Sequence, residues 1–284
     1  MIVDIHTHTF PDKIAKRVVD GLAGMGHVRH FTDATRPELF ASIEEAGIDW
    51  AVNLPVHTRA DQVVKIHRDL LACHEEMKNR HLLTFGGMHP DFEDYRTELR
   101  WLKEQGIPGI KLHPAFQQCD LDDPRMLRIV DAASELDMIV IVHGGMDVSF
   151  PDRNYASVPM ILHMLKEVAP PKLIVAHMGG WGDWDRVEAE LAGAPVYLDT
   201  AFSLGPVTPA PNDPVPPIRG WNMTDEAFVR LARKHGTDRV LFGTDSPWIV
   251  QKDYIARLRA LPLEDSEKEQ ILGGNAARLL GLEA

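Results

Sequence analysis

Residues 138–143 read MIVIVH and residues 172–177 read KLIVAH, two short apolar runs that each end on a histidine. A continuous β-branched run of this length fits a strand buried on both faces, as in a parallel sheet, better than a half-exposed strand. Working outward, runs of the same kind recur at Ile2–His6, Trp50–Leu54, Leu82–Gly86, Gly109–His113, Val196–Asp199 and Val240–Asp245. Amphipathic segments lie between them, for example Arg36–Ala46, Asp61–Met77, Pro124–Leu136, Val158–Val168 and Thr224–Lys234, with apolar residues at three- and four-residue steps. Strands and helices alternating in this way predict a closed (β/α)8 barrel, a TIM barrel, as a single domain over residues 1–284. An open doubly wound sheet would be marked by a G-x-G-x-x-G turn after the first strand, and none is present. Two connections are too long for turns: Gly21–Thr35, with three glycines, and Thr200–Met223, with six prolines between Gly205 and Pro217. Loops of that length are expected as lids over an active site, the plainer alternative being a surface excursion or a subunit contact.

Composition narrows the function classes. The chain has 284 residues, 44% hydrophobic and 25% charged, with a formal net charge of -12. That balance is ordinary for a folded protein and argues against a nucleic-acid partner, which needs a surplus of Lys and Arg. No stretch is apolar enough to enter a membrane, and the start MIVDIHTHTF lacks the basic residues of a signal peptide. The two cysteines, Cys73 and Cys119, have the spacing of neither a disulfide framework nor a zinc finger. Reduced thiols in a cytoplasmic protein are the expectation.

The runs have polar residues where fully buried strands need none. Their C-terminal ends carry Asp4, His6 and His8, Lys111 and His113, His143, His177 and Asp245. In (β/α)8 enzymes the active site is built at those ends. Residues two apart share a face about 6.6 Å apart along a strand, so His6 and His8 point the same way, close enough to converge on one metal ion. Asp4 is expected on that face too, one pleat deeper, as an acceptor behind the ligands. By the same parity Lys111 faces inward with His113. One buried histidine is ordinarily a satisfied core residue. A whole set would cost several kcal/mol each if unpartnered, which a divalent cation relieves collectively. His67, His74, His81, His163 and His235 are expected to be solvated or capping residues, and His57, His89, His27 and His30 are left as outlying candidates near the pocket or lid.

The segments DIHTH, GIKLHP, VHGG, AHMGG, FGTDSPW and GGNAARLLGL, running from residue 2 to residue 282, resemble the amidohydrolase superfamily. More narrowly they resemble its amidohydrolase-2 branch, which holds hydrolases together with non-oxidative decarboxylases. The resemblance implies that His6, His8, His143 and Asp245 ligate a divalent metal ion, with His177 as a catalytic or second metal-binding histidine; in a metal-assisted hydrolysis, Asp245 is expected to shuttle the proton as well. Zn2+ suits three imidazoles and a carboxylate best, with Mn2+ and Fe2+ as alternatives. One ion is expected, and a second would need a carboxylated lysine at Lys111. Lys111 is open to two other roles, pairing with a substrate carboxylate or forming a structural ion pair with Asp199 or Asp4.

The reaction expected on these grounds is metal-assisted hydrolysis of a small, anionic, carbonyl-containing substrate, with Lys111 and His113 binding its anionic group. A carboxy-lyase acting through the same site is the alternative, and a non-catalytic metal-binding protein a third. Arg153 is a further candidate clamp for an acidic substrate. A homodimer is compatible with the resemblance.

Overall fold

The computed structural model describes residues 1–211, 213 and 223–282. Eight parallel strands follow one another in chain order: β1 (Val3–Thr7), β2 (Trp50–Asn53), β3 in two pieces (Leu82–Thr84 and Gly86–Gly87), β4 (Gly109–Leu112), β5 (Ile139–Val142), β6 (Leu173–Val175), β7 (Tyr197–Asp199) and β8 (Val240–Leu241). Each pairs with the next, the first piece of β3 with β2 and the second with β4. Closure comes from the chain beyond β8. Ile5 N–H donates to Phe242 O at 2.9 Å, Asp245 N–H to His6 O at 2.8 Å and His8 N–H to Ser246 O at 2.8 Å. The sheet is therefore the expected TIM barrel.

Side chains alternate between two cores, as a closed parallel sheet requires. Val3, Ile5, Val52, Ile139, Ile141 and Ile174 fill one cluster inside the barrel, while Ile110, Leu112, Val140 and Val142 join Leu99 and Ile129 of the surrounding helices in another. Helix ends follow local chemistry: Thr35 accepts from Glu38 N–H to open Arg36–Ala46, and Gly47, at φ 68°, closes it in the left-handed region.

Two expectations change. The long loop placed at Gly21–Thr35 starts later, because the helix Asp12–Gly26 runs through all three glycines. Val19, Ala23 and Gly26 are buried on one face, and a Cβ on Gly26 would meet Val148 Cγ2 at 2.9 Å, so that glycine permits close packing. The connection proper, from His27 onward, pairs with the second long loop: Arg29 N–H donates to Thr208 O at 2.9 Å and Ala210 N–H to His27 O at 3.1 Å. The remainder of the expected 200–223 lid, at residues 212 and 214–222, lies outside the described residues.

The second change concerns Asp4. The register of β1 against β2 slips between Asp4 and Thr7, three steps on β1 against two on β2. Such a bulge reverses which residues face inward. Val3 and Ile5 lie in the inner cluster, so Asp4 turns outward, where its carboxylate accepts from Thr244 N–H (3.0 Å), Thr244 Oγ1 (2.6 Å) and Gln251 Nε2 (2.7 Å). Oδ1 also accepts His6 N–H at 3.2 Å, so Asp4 ties β1 to the β8 extension, and burial pushes its pKa up to about 6 despite those donors.

Candidate metal centre and pocket

The bulge that turns Asp4 away brings His6 and His8 together. Their rings lie 5.1 Å apart, and both face Asp245: His8 Nε2 is 3.1 Å and His6 Nε2 3.6 Å from Asp245 Oδ1. His177 joins them at 5.3 Å from the His6 ring, and His143 follows at 4.6 Å from His177. His6, His8 and Asp245 form one group spaced to hold a metal ion, and His143 stands across from it in a second group with His113 and Asp147. Two of these residues occupy backbone conformations that side chains disfavour, His177 at φ 60° and Asp245 at φ 64°. Strain of that kind persists where the surroundings fix it; here Asp245 N–H is held by His6 O and His177 N–H by Asp199 Oδ1, both at 2.8 Å.

Hydrogen bonds fix which nitrogen of each ring carries the proton. His6 Nδ1–H donates to Asp199 Oδ2 at 2.8 Å, His8 Nδ1–H to Leu54 O at 2.7 Å, and His177 Nδ1–H to Ala201 O at 2.8 Å. His143 is turned the other way, its Nε2–H donating to Met146 O at 3.0 Å. The inner nitrogens therefore present lone pairs. His143 Nδ1 and His177 Nε2 face each other at 3.0 Å, an arrangement that needs a cation or an added proton between them. Protons are disfavoured: burial first, and then the charge of His143, bring His177 down to about 3, and burial lowers His6 and His143. Burial alone would raise Asp245, but His6 and His8 outweigh it and hold the carboxyl far below the usual range. Imidazole lone pairs around an ionised carboxylate suit a divalent cation, which His6, His8 and Asp245, with His143 across from them, could hold, His177 adjoining.

The same reasoning counts against a separate ion in the second group. His113 Nε2 and His143 Nε2 lie 3.5 and 4.0 Å from Asp147 Oδ2, but the His143 nitrogen on that side already donates to Met146 O.

Lys111 is 1% exposed and lies beneath the pocket, with Nζ 3.4 Å from His6 Nε2. It forms no ion pair within 4 Å with Asp199 or Asp4, and it does not line the pocket, whereas His113 does. Burial lowers its pKa to about 8, against the pull of Asp199, Asp245 and Asp147. Arg153 is surface-exposed and paired with Asp120 at 2.8 Å, which removes it as a substrate clamp. Of the outlying candidates, neither His57 nor His89 lines the pocket. His27 bonds Asp213, and His30 bonds Thr32 O and Asp20. His67 and His235, expected at the surface, are buried: His67 bonds Glu98 and Gly87 O, and His235 bonds Val196 O.

The pocket over this floor encloses about 180 Å³. Phe10, Phe116, Trp181, Phe202 and Trp248 line it, and Val28 and Phe202 come from the two long loops. The sequence reading missed two carboxylates here. Asp199, the partner of His6, is expected from the sequence only as a partner for Lys111; Asp147, in a loop four residues after His143, has no motif to point to it.

The family model described as Amidohydrolase matches residues 3–282. The chain belongs to the amidohydrolase family. Members are metal-dependent enzymes, and the imidazole and carboxylate groups above fit that chemistry. A curated relative, 2-amino-3-carboxymuconate-6-semialdehyde decarboxylase of Dictyostelium discoideum, is 26% identical over 204 residues, which is 65% of this chain and 56% of that protein. The match thus spans little more than half of that relative's length. Among solved structures, an uncharacterised TIM-barrel protein from Bordetella bronchiseptica superposes with a TM-score of 0.72 at 18% identity, over 99% of this chain and 98% of that one. The 5-carboxyvanillate decarboxylase of Sphingomonas paucimobilis gives 0.64 at 16% identity, over 99% of both. At these identities the structural matches establish the fold. No helix among the described residues of this amidohydrolase-family chain is long and apolar enough to cross a membrane.

Proposed function

We propose that this amidohydrolase-family enzyme hydrolyses a small carbonyl compound at a single divalent ion held by His6, His8, His143 and Asp245. The observation that carries this is the pair of facing lone pairs on His143 and His177 at 3.0 Å, beside the ionised Asp245, at the floor of an apolar pocket. Zn2+ is the proposed metal, from the donor set of three imidazoles and one carboxylate. When bound, the ion acts as a Lewis acid and makes water more acidic.

The chain's own groups do the rest. Asp245 stays ionised and open to the pocket, so its carboxylate accepts a proton from the attacking water and returns it to the leaving group. His177 keeps its Nδ1–H on Ala201 O, which holds Nε2 toward the reacting oxygen. Lys111 and His113 favour negative charge developing at the floor, Lys111 through its buried ammonium and His113 through its pocket-facing ring. Trp181, Trp248 and the paired loops limit access of bulk water. A cytoplasmic location and a homodimer remain proposals of the same reading.

One observation favours the second reading, decarboxylation: the pocket walls are apolar, and loss of CO2 disperses a carboxylate charge that such walls desolvate. The Dictyostelium relative is named a decarboxylase. Isotopes separate the two. With a substrate found by thermal-shift screening, turnover in H2 18O places 18O in the product under hydrolysis. Release of CO2 with deuterium on carbon in D2O would overturn hydrolysis in favour of decarboxylation.

A further inference from the structure

One charged group in the pocket has no partner that accounts for it. Asp147 lies in the loop after β5, and its carboxylate forms part of the pocket wall with 9% exposure. Oδ1 accepts Ser149 N–H at 2.7 Å, which fixes the direction of the side chain. Oδ2 is left 3.5 Å from His113 Nε2 and 4.0 Å from His143 Nε2. The second of these nitrogens already donates to Met146 O, and 3.5 Å is the outer limit of a hydrogen bond. His113 stacks on His143 at 4.4 Å, and its buried Nδ1 has no hydrogen-bond partner. Among the described residues no lysine or arginine lines the pocket.

A carboxylate oxygen almost wholly withdrawn from water, with no lysine or arginine of the pocket lining beside it, requires a donor. The surrounding rings of Phe10, Phe116, Trp181, Phe202 and Trp248 suit a flat, unsaturated body. A second carboxylate on such a body would meet Asp147 with like charge and without a guanidinium to receive it. We infer that Asp147 is a specificity-determining residue: its Oδ2 accepts a hydrogen bond from a hydroxyl or amino group on an aromatic or unsaturated substrate, and it rejects substrates carrying a second anion there. This rests on the proposed function in one respect, that the reacting carbonyl or carboxylate sits over His6, His8 and Asp245 in the same pocket.

Binding of matched probes to the Zn2+-loaded protein tests it, followed by the fluorescence of the pocket tryptophans and by calorimetry. The pairs are 3-hydroxybenzoate with 3-methoxybenzoate, and phenol with anisole; isophthalate supplies a second carboxylate. Within each pair the hydroxyl compound should bind about tenfold more tightly or better, the usual worth of a hydrogen bond to a charged acceptor, and isophthalate should bind weakest of the acids. Asp147→Asn keeps an acceptor for Ser149 N–H. It should reduce the hydroxyl advantage to about threefold or less and tighten isophthalate, changes that a purely structural loss would not produce selectively. Equal affinities within the pairs, an advantage that survives in Asp147→Asn, or no binding of either hydroxyl compound would overturn the inference. The proposed function fails separately if 3-hydroxybenzoate binds no better than phenol and its affinity is indifferent to removal of Zn2+, and the phenol and anisole pair still judges Asp147 in that event.

Discussion

Replacing Asp199 by Asn tests whether one hydrogen bond decides how the site holds its ion. Asp199 Oδ2 receives the His6 Nδ1–H at 2.8 Å, while Oδ1 accepts His177 N–H at 2.8 Å and Ala201 N–H at 3.1 Å. In Asp199→Asn the carbonyl oxygen can keep the two backbone donors, which leaves the amide NH2 facing His6. Two donors cannot share that contact, so His6 must present its lone pair at Nδ1 and move its proton to Nε2, the nitrogen that would otherwise hold the metal. The charge lost is large at this range. An anion about 7 Å from a divalent ion contributes about 5 kcal/mol at an effective dielectric near 20, an upper bound because other charges and water respond. Removing such outer partners usually costs about 10- to 100-fold in metal affinity. With the tautomer reversed as well, Asp199→Asn is expected at about 100-fold weaker metal binding, read by competition with a chelating dye on protein whose circular dichroism shows it folded. If Asp199→Asn binds within about threefold of wild type while His6→Ala loses the ion, the orienting role assigned to Asp199 is refuted.

Asp245→Asn should lower kcat by about 10² or more while retaining most of its metal; bound metal with near wild-type kcat would sink its role in proton transfer. His6→Ala and His143→Ala should each lower metal content measured by elemental analysis, and wild-type content in either rejects that ligand. Lys111→Met removes a buried cation 3.4 Å from His6 Nε2, so metal affinity should hold or rise; loss of half the bound metal would instead indicate a carboxylated lysine bridging two ions. Burial lowers His235 to about 4 from its usual 6.5, so its stabilising share is complete above pH 6.5 and is lost as pH falls through 4, up to about 3 kcal/mol. His235→Gln, able to keep the bonds to Val196 O and Gly193 N–H, should flatten the fall in the urea midpoint between pH 6.5 and 4, and an unchanged slope would exclude His235 as its source.

The sequence carried the barrel because its strands are buried on both faces, and that requirement writes itself as runs such as IVIV at 139–142. The helix Arg36–Ala46 was equally legible, bounded by Thr35 and Gly47. Parity sufficed on β4, where Ile110 and Leu112 pack outward against helices as expected. On β1 it failed, because a bulge leaves no mark in the order of residues, and Asp4 changed faces with it. His67 and His235 were misread for another reason. Their partners, Glu98 and Val196, lie 31 and 39 residues away, beyond the reach of local pattern. Gly21 and Gly24 suggested a loop, yet the buried face of Val19 and Ala23 was enough to continue the helix.

The deeper gap lies in the tautomers. That His6, His8, His143 and His177 gather at one end of the barrel follows from their places at strand ends, but which nitrogen each turns inward does not. His6 is set by Asp199 at the end of β7, His8 by Leu54 just beyond β2, and His177 by Ala201 just beyond β7. In each case the partner belongs to another strand, brought alongside only when the barrel closes. His143 alone is set by its own following loop, through Met146 O, and it alone turns Nδ1 inward. The parallel barrel thus supplies a ring of strand-end acceptors that fixes the imidazoles before any ion arrives. A change that slips one strand without removing a single histidine would therefore weaken metal binding, since the lone pairs would no longer converge.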